Sequence, residues 1–305
     1  MPEGRGRSRA LLWILIGGGA FFLFVLAVFT LVYLTLHAGG AEAGFGGFGD
    51  KIGVVDLEGV ILSPQPVVSE LKKFADDSSI KAIILHVNSP GGGVAASEEI
   101  YREVKRIRKE KKKKIVVSIE TVGASGAFYV ASASDKIYAD SGSIVGSIGV
   151  IAQWVNYGDL LKWAKLKDVV IKTGEFKDTG NPARELTPAE QAYMQSLIDN
   201  MFHQFIQAVA DGRGLKYDDV KAIANGKVWT GEQAQTMKLI DSVGDFETAV
   251  ADTAKSVGIA GEPTLVRPEK ERRTLLDLLL GDVSQYLPSR EKLMEQQVGF
   301  YYLWK

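Results

Sequence analysis

Three stretches of this 305-residue chain carry residue types able to do chemistry. In Thr121-Val122-Gly123-Ala124-Ser125-Gly126-Ala127-Phe128-Tyr129-Val130-Ala131, a serine sits among small residues, after an apolar run and at the head of a helical one. A strand-to-helix turn exposes such a hydroxyl. The free N–H groups and partial positive charge at a helix start favour an oxyanion beside it. That combination suits a serine nucleophile; the bland alternative is a serine that only caps the helix. In Asn88-Ser89-Pro90-Gly91-Gly92-Gly93, three glycines after an apolar run let backbone N–H groups approach a ligand. One reading is an oxyanion hole built from the N–H groups of Gly92 and Gly126. Another is phosphate binding, although the Lys-Ser/Thr of a P-loop is missing, and a third is a plain tight turn. The last stretch is Thr173-Gly174-Glu175-Phe176-Lys177-Asp178-Thr179-Gly180, whose lysine reads either as a solvated charge or as a base. A free lysine titrates near 10.4. As a base at neutral pH, such a group must lose about three units, or about 4 kcal/mol against its ammonium form, which burial in a dry site supplies.

Other catalytic schemes have few residues to draw on. The chain has no cysteine, so disulfides, thiolate metal sites and cysteine nucleophiles are excluded. Its three histidines are scattered. His37 follows an apolar run, His86 lies in a strand-like run before the glycines, and His203 lies in a long helical pattern. None clusters with carboxylates, so neither a Ser-His-Asp triad nor a metal site is expected. The net charge of −1 gives no sign of nucleic-acid binding, and the basic run 105–114 reads as the solvated end of a helix.

The elements that must position these residues read as α/β. Apolar runs at 52–57, 80–87, 115–119, 136–139 and 169–172 predict strands, and 144–154 is apolar and β-branched around two glycines. Helical spacing marks 67–75, 94–108, a run from Ser125 to about Ser134, 217–224 and 246–257. The strongest helix is 187–210. Thr187-Pro188-Ala189-Glu190 supplies a cap, a proline at the first turn and a capping-box glutamate. Strands alternating with helices indicate an α/β architecture.

At the amino terminus, residues 11–36 carry no charge, and Arg5, Arg7 and Arg9 precede them. As a helix this run spans about 39 Å against a hydrocarbon core of about 30 Å. A single membrane anchor is expected, with residues 1–10 cytoplasmic and the rest extracytoplasmic. The glycine-rich linker 37–50 follows, and its flexible part reaches only about 17–21 Å, which holds the catalytic domain near the lipid surface. At the other end, the extension 261–305 finishes in Phe300-Tyr301-Tyr302-Leu303-Trp304-Lys305. It reads as a tail packed on a neighbour or the membrane, or more sharply as a segment that enters a peptide groove.

Taken together, Asn88–Gly92, Gly123–Tyr129, Ser143-Ile144-Val145-Gly146-Ser147-Ile148-Gly149-Val150 and Gly174–Asp178 resemble the short-form signal peptide peptidases of the S49 serine proteases. The resemblance covers most of a domain placed at 51–260. It implies a fold of repeated β-β-α units of the ClpP/crotonase type behind one amino-terminal transmembrane helix. It also implies a Ser-Lys dyad, with Ser125 as nucleophile, Lys177 as general base and Ser147 holding the lysine. Gly92 and Gly126 would form the oxyanion hole. Ala127 stands where the family often has glycine, and His86 where it often has arginine. One such module per chain implies a ring-like homo-oligomer with clefts shared between protomers. The expected activity is endopeptidase cleavage of remnant signal peptides and other hydrophobic peptides at the extracytoplasmic membrane surface, without cofactor, metal or nucleic acid. The competing expectations are a stomatin-operon-type protease of one membrane protein, a crotonase-like acyl-CoA enzyme, and a non-catalytic crotonase-like scaffold.

Overall fold

The computed structural model describes residues 16, 19, 21–30, 50–268 and 300–304. The chain divides into two units, Met1–Gly49 and Asp50–Lys305. In the first, 21–30 is helical, with Phe21, Phe22, Leu23 and Phe24 exposed. Both ends of the expected anchor, all of residues 1–10 and the linker up to Gly49 lie outside the described residues. No described helix is long and apolar enough to cross a membrane.

The second unit is built on a largely parallel sheet. Its strands are β1 (Lys51–Glu58), β2 (Ile80–Ser89), β4 (Lys114–Ala124), β5 (Lys136–Ala139), β6 (Ile144–Gly146), β8 (Val228–Thr230), β9 (Ser242–Val243) and β10 (Thr264–Val266). The order is β10-β1-β2-β4-β5-β9, with β6 parallel to the end of β4 and β8 antiparallel to β6. Alternate residues of the central strands serve two cores, because successive side chains of a strand point to opposite faces. Val55, Ile83, Leu85, Val117 and Ile119 join the main core with the helices Gln65–Asp76, Val94–Arg106 and Gly126–Ala131. Ile52 and Ile84 face Val250 and Ala254 of the helix Phe246–Ser256 instead. The long helix Pro188–Arg213 keeps the expected capping box at Thr187 and Glu190 and stops at Gly214, whose φ of 63° is left-handed.

Several boundaries differ from the sequence reading. Strand 115–119 continues to Ala124, because its last residues pair with β6 after β5 has ended. The glycines after Ser89 do not simply break a strand. Gly91–Gly93 is itself extended, as β3, in a second sheet with β7 (Ile151–Ala152) and β11 (Phe300–Leu303), ordered β3-β11-β7. Helix 94–108 ends at Arg106 and passes into a π turn, Ile107–Lys111. The strand expected at 169–172 is absent. These residues are irregular and exposed, Ile171 by 97%, and no described strand pairs with them. Their apolar character marks a surface rather than a core.

Leu85 is fully buried at the middle of β2. Leu85→Ala is expected to destabilise the fold by about 2–5 kcal/mol, through lost burial and the cavity left behind, as read by urea unfolding.

Candidate active site

β2 and β4 run side by side and parallel, with Ser89 registered against Gly123. The turns that leave their carboxyl ends therefore emerge together, where open α/β sheets place ligands. The first turn carries the glycines. Ser89 Oγ, buried, donates to Gly59 O at 2.6 Å and accepts from Gly91 N–H at 3.1 Å. Ile61 then clamps the strand from outside. Its N–H donates to Gly91 O at 2.8 Å, and its carbonyl accepts from Gly93 N–H at 2.9 Å. Because neighbouring N–H groups of a strand point to opposite sides, Gly92 N–H is turned away from Ile61.

The second turn carries Ser125, which begins the helix Gly126–Ala131 at φ 54° and ψ −118°. A non-glycine residue held there costs about 1–3 kcal/mol, and such strain collects at functional sites. Its backbone is fixed on both sides: Ser125 N–H donates to Gly146 O at 2.7 Å, and Tyr129 N–H donates to Ser125 O at 2.8 Å. The side chain makes no capping hydrogen bond, so the plain helix-cap reading fails. Ser125 is almost fully buried in the protein surface, yet it lines a cavity of about 620 Å³ shared with Ser147, Ile148, Gln195 and Phe202.

The two turns meet through backbone. A Cβ added to Gly91, whose φ is +97°, would lie 2.6 Å from Gly126 N. One added to Gly126 would lie 3.2 Å from Gly92 N and 2.4 Å from Ser97 Oγ. Gly92 N–H and Gly126 N–H are thus neighbours, with no side chain between them, at the foot of Ser125. Two convergent backbone donors beside a hydroxyl are the arrangement that stabilises the oxyanion of acyl transfer.

The structure brings together Ser125, Gly92, Gly126 and Ser147. Ser147 sits at φ 51° on the turn after β6, its N–H bonded to Lys227 O at 2.8 Å. Lys177 is not brought in: it is exposed and does not line the Ser125 cavity. Its loop is nonetheless held. Asp178 pairs with Lys172 and Arg184, and Arg184 also bonds Glu190 at 2.6 Å. Arg184 and Lys172 pull the Asp178 carboxyl down to about 2, and Arg184 likewise holds Glu190 well below the usual carboxylate range. Among the histidines, His203 is exposed and bonded to the Tyr217 hydroxyl, while His86 lies 3.4 Å from Asp56. Sequence reasoning missed Ser89 and Ser97. The spacing of Ser89 within the glycine motif was a visible signal for a turn-shaping hydroxyl, and nothing marked Ser97.

With this geometry in hand, comparison with known proteins is direct. Residues 107–260 match the profile of peptidase family S49, and residues 63–139 match that of Clp protease. The chain belongs to peptidase family S49. A Synechocystis sp. protein named as a candidate protease is 36% identical over 236 residues, covering 77% of this chain and 84% of that one. An Enterococcus faecium protein named as a candidate signal peptide peptidase SppA is 35% identical over 191 residues, 63% of this chain and 55% of that one. Protease 4 of Haemophilus influenzae is 34% identical over 210 residues, 66% of this chain but 34% of its own length. The S49 chain is accordingly a signal-peptide-peptidase-like protease of the serine type, with a mixed α/β fold that includes a Clp-like part.

Two outcomes are expected from this geometry. Ser97 Oγ is buried without a partner, so Ser97→Ala should leave stability unchanged or raised. In that background Gly126→Ala should keep the fold by circular dichroism yet cut peptide hydrolysis about 100-fold or more, since a methyl then stands beside both N–H donors. The second concerns pH. The Asp178 carboxyl is lowered on folding from 3.8 to about 2. Its contribution is therefore complete above 3.8 and lost as pH falls through about 2. The melting temperature should drop across that window, and the drop should be smaller in Asp178→Asn.

Proposed function

We propose that the chain is a membrane-anchored endopeptidase in which Ser125 attacks the peptide carbonyl and Lys177 of a second copy acts as general base. The observation that carries this reading is the strained Ser125 turn beside the neighbouring N–H groups of Gly92 and Gly126. In this mechanism a neutral Lys177 amine takes the Ser125 proton as Oγ bonds to the carbonyl carbon. The oxyanion rests on the two glycine N–H groups. Collapse expels the amine, which leaves with the proton from Lys177, and water then hydrolyses the acyl ester by the same route in reverse. In this reading Ser147, which lines the same cavity as Ser125, holds the incoming ammonium.

Supply of Lys177 by a neighbour accounts for two features. One is its position outside the cavity of its own chain. The other is the apolar surface around it: Val155, Leu160, Trp163, Val169 and Ile171 are exposed, Trp163 by 82%. Patches of this kind mark interfaces, and a closed ring of like subunits would cover them while drying the lysine. The uncharged run 11–36 supports anchoring, with the protease domain outside the cytoplasm and close to lipid. Remnant signal peptides and other hydrophobic peptides held near the bilayer are then the natural substrates. That agrees with the name of the Enterococcus relative.

Complementation tests the shared site. Ser125→Ala and Lys177→Ala should each abolish hydrolysis of a synthetic signal peptide. Chains of the two variants expressed together should regain about a quarter of wild-type activity, because random assembly pairs an intact serine with an intact lysine at that frequency. Recovery of none would show that both groups act within one chain or that one of them is not catalytic. Full activity of Lys177→Ala alone would remove the base assignment.

A further inference from the structure

One buried hydroxyl beside the glycine donors has no part in the mechanism above. The helix Val94–Arg106 follows the glycine strand directly, with Gly93 as its cap. Its buried face includes Ser97, Ile100, Tyr101 and Val104. Positions spaced in this way form the apolar stripe of an amphipathic helix, and here the first of them holds a hydroxyl. Ser97 is fully buried. A helical serine can satisfy itself by bonding back to a carbonyl one turn earlier. Ser97 Oγ bonds to nothing. A buried hydroxyl without a partner lowers stability, and an alanine in its place would not. Packing therefore gives no reason for a serine at this position.

Location supplies one. A Cβ built on Gly126 would lie 2.4 Å from Ser97 Oγ and 3.2 Å from Gly92 N. The hydroxyl and the two glycine donors thus surround one point, on the side of Gly126 that carries no side chain. The helix of Ser97 also begins there, just after Gly92, and its first free N–H groups add partial positive charge. A planar carbonyl lies against the same point: Tyr302 O is 3.1 Å from that Cβ position, yet Ser97 makes no hydrogen bond with it. The oxygen of a planar carbonyl and that of a tetrahedral intermediate occupy different positions. Only donors that meet the second better than the first accelerate the reaction. A hydroxyl that leaves a carbonyl unbonded at this distance has its hydrogen free for the oxyanion.

We propose that Ser97 is a third donor of the oxyanion hole, a catalytic residue whose hydroxyl pairs with the substrate oxygen only after Ser125 has attacked. This rests on the reading of Ser125 as nucleophile. No proton changes hands in the step. Ser97 keeps its hydrogen, donates as the carbonyl electrons move onto oxygen, and is released when the carbonyl reforms in the acyl ester. A hydrogen bond to an anion is about twice as strong as a neutral one, and the apolar surroundings of Ser97 strengthen it further. The pairing missing in the resting protein is thereby supplied in the transition state.

The full chain is compared with Ser97→Ala and with Ser97→Cys, which keeps the shape but carries a weak donor. Both variants should keep the wild-type circular dichroism. On a synthetic signal peptide both should lose about 10- to 100-fold in kcat with KM unchanged. A fluorescein-labelled Leu-Ala-Ala peptide aldehyde forms a tetrahedral adduct with a serine. By anisotropy it should bind both variants more weakly by that same factor, while the same peptide ending in an amide should bind all three chains alike. Wild-type kcat in Ser97→Ala overturns the proposal. So does full recovery in Ser97→Cys, which would make Ser97 a filler of space, as would equal losses for the aldehyde and the amide, or loss of the fold in both variants. The nucleophile is read separately, since the advantage of the aldehyde over the amide should vanish in Ser125→Ala. If that advantage persists, the nucleophile assignment falls and the role of Ser97 with it; if it vanishes there but is untouched by Ser97→Ala, the role of Ser97 alone falls.

Discussion

Everything at this site depends on two backbone N–H groups brought side by side with nothing between them. Gly92 and Gly126 lie far apart in sequence and meet because β2 and β4 are adjacent and parallel, so their outgoing turns share one end of the sheet. The spacing leaves no room for a methyl: one on Gly91 would press on Gly126 N, and one on Gly92 would come within 2.2 Å of Ile61 O. Ile61 and Ser89 satisfy the rest of the glycine strand, which leaves the Gly92 donor facing inward. The sheet thus supplies the approach, the missing side chains supply the room, and the clamp supplies the direction.

The strand-helix alternation and the serine and glycine turns were legible because each has a local cause. Apolar runs of alternating faces become the central strands. The capping box at Thr187 starts the long helix where its residues require. Ser125, Gly92 and Gly126 were legible from their own motifs, each within a few residues of a strand end, whereas Ser147 came from the family resemblance alone. What could not be read locally was set by partners remote in sequence. β4 reaches Ala124 only because β6 lies beside it. The glycine triplet counts as strand only because Phe300–Leu303 lies against it. The apolar residues 169–172 resemble a strand to any pattern that measures burial, yet they find no cover among the described residues.

Under the proposed function, that last mismatch and the position of Lys177 share one physical explanation. A lysine that acts as a base needs a dry surrounding, and the described residues leave Trp163 and Ile171 in water. Asp178 and Arg184 meanwhile fix the loop itself, so the segment is a rigid projection rather than a loose strand of charge. In the proposed assembly, shape is settled within the protomer and dryness is left to the neighbour.

The three-stranded sheet has a consequence for colloidal behaviour. β3 and β7 are short, and β11 lies between them as their shared partner. Without it, both would present unsatisfied N–H and C=O groups, the template that recruits foreign strands and seeds aggregation. Phe300–Leu303 therefore covers two short edges that would otherwise invite foreign strands.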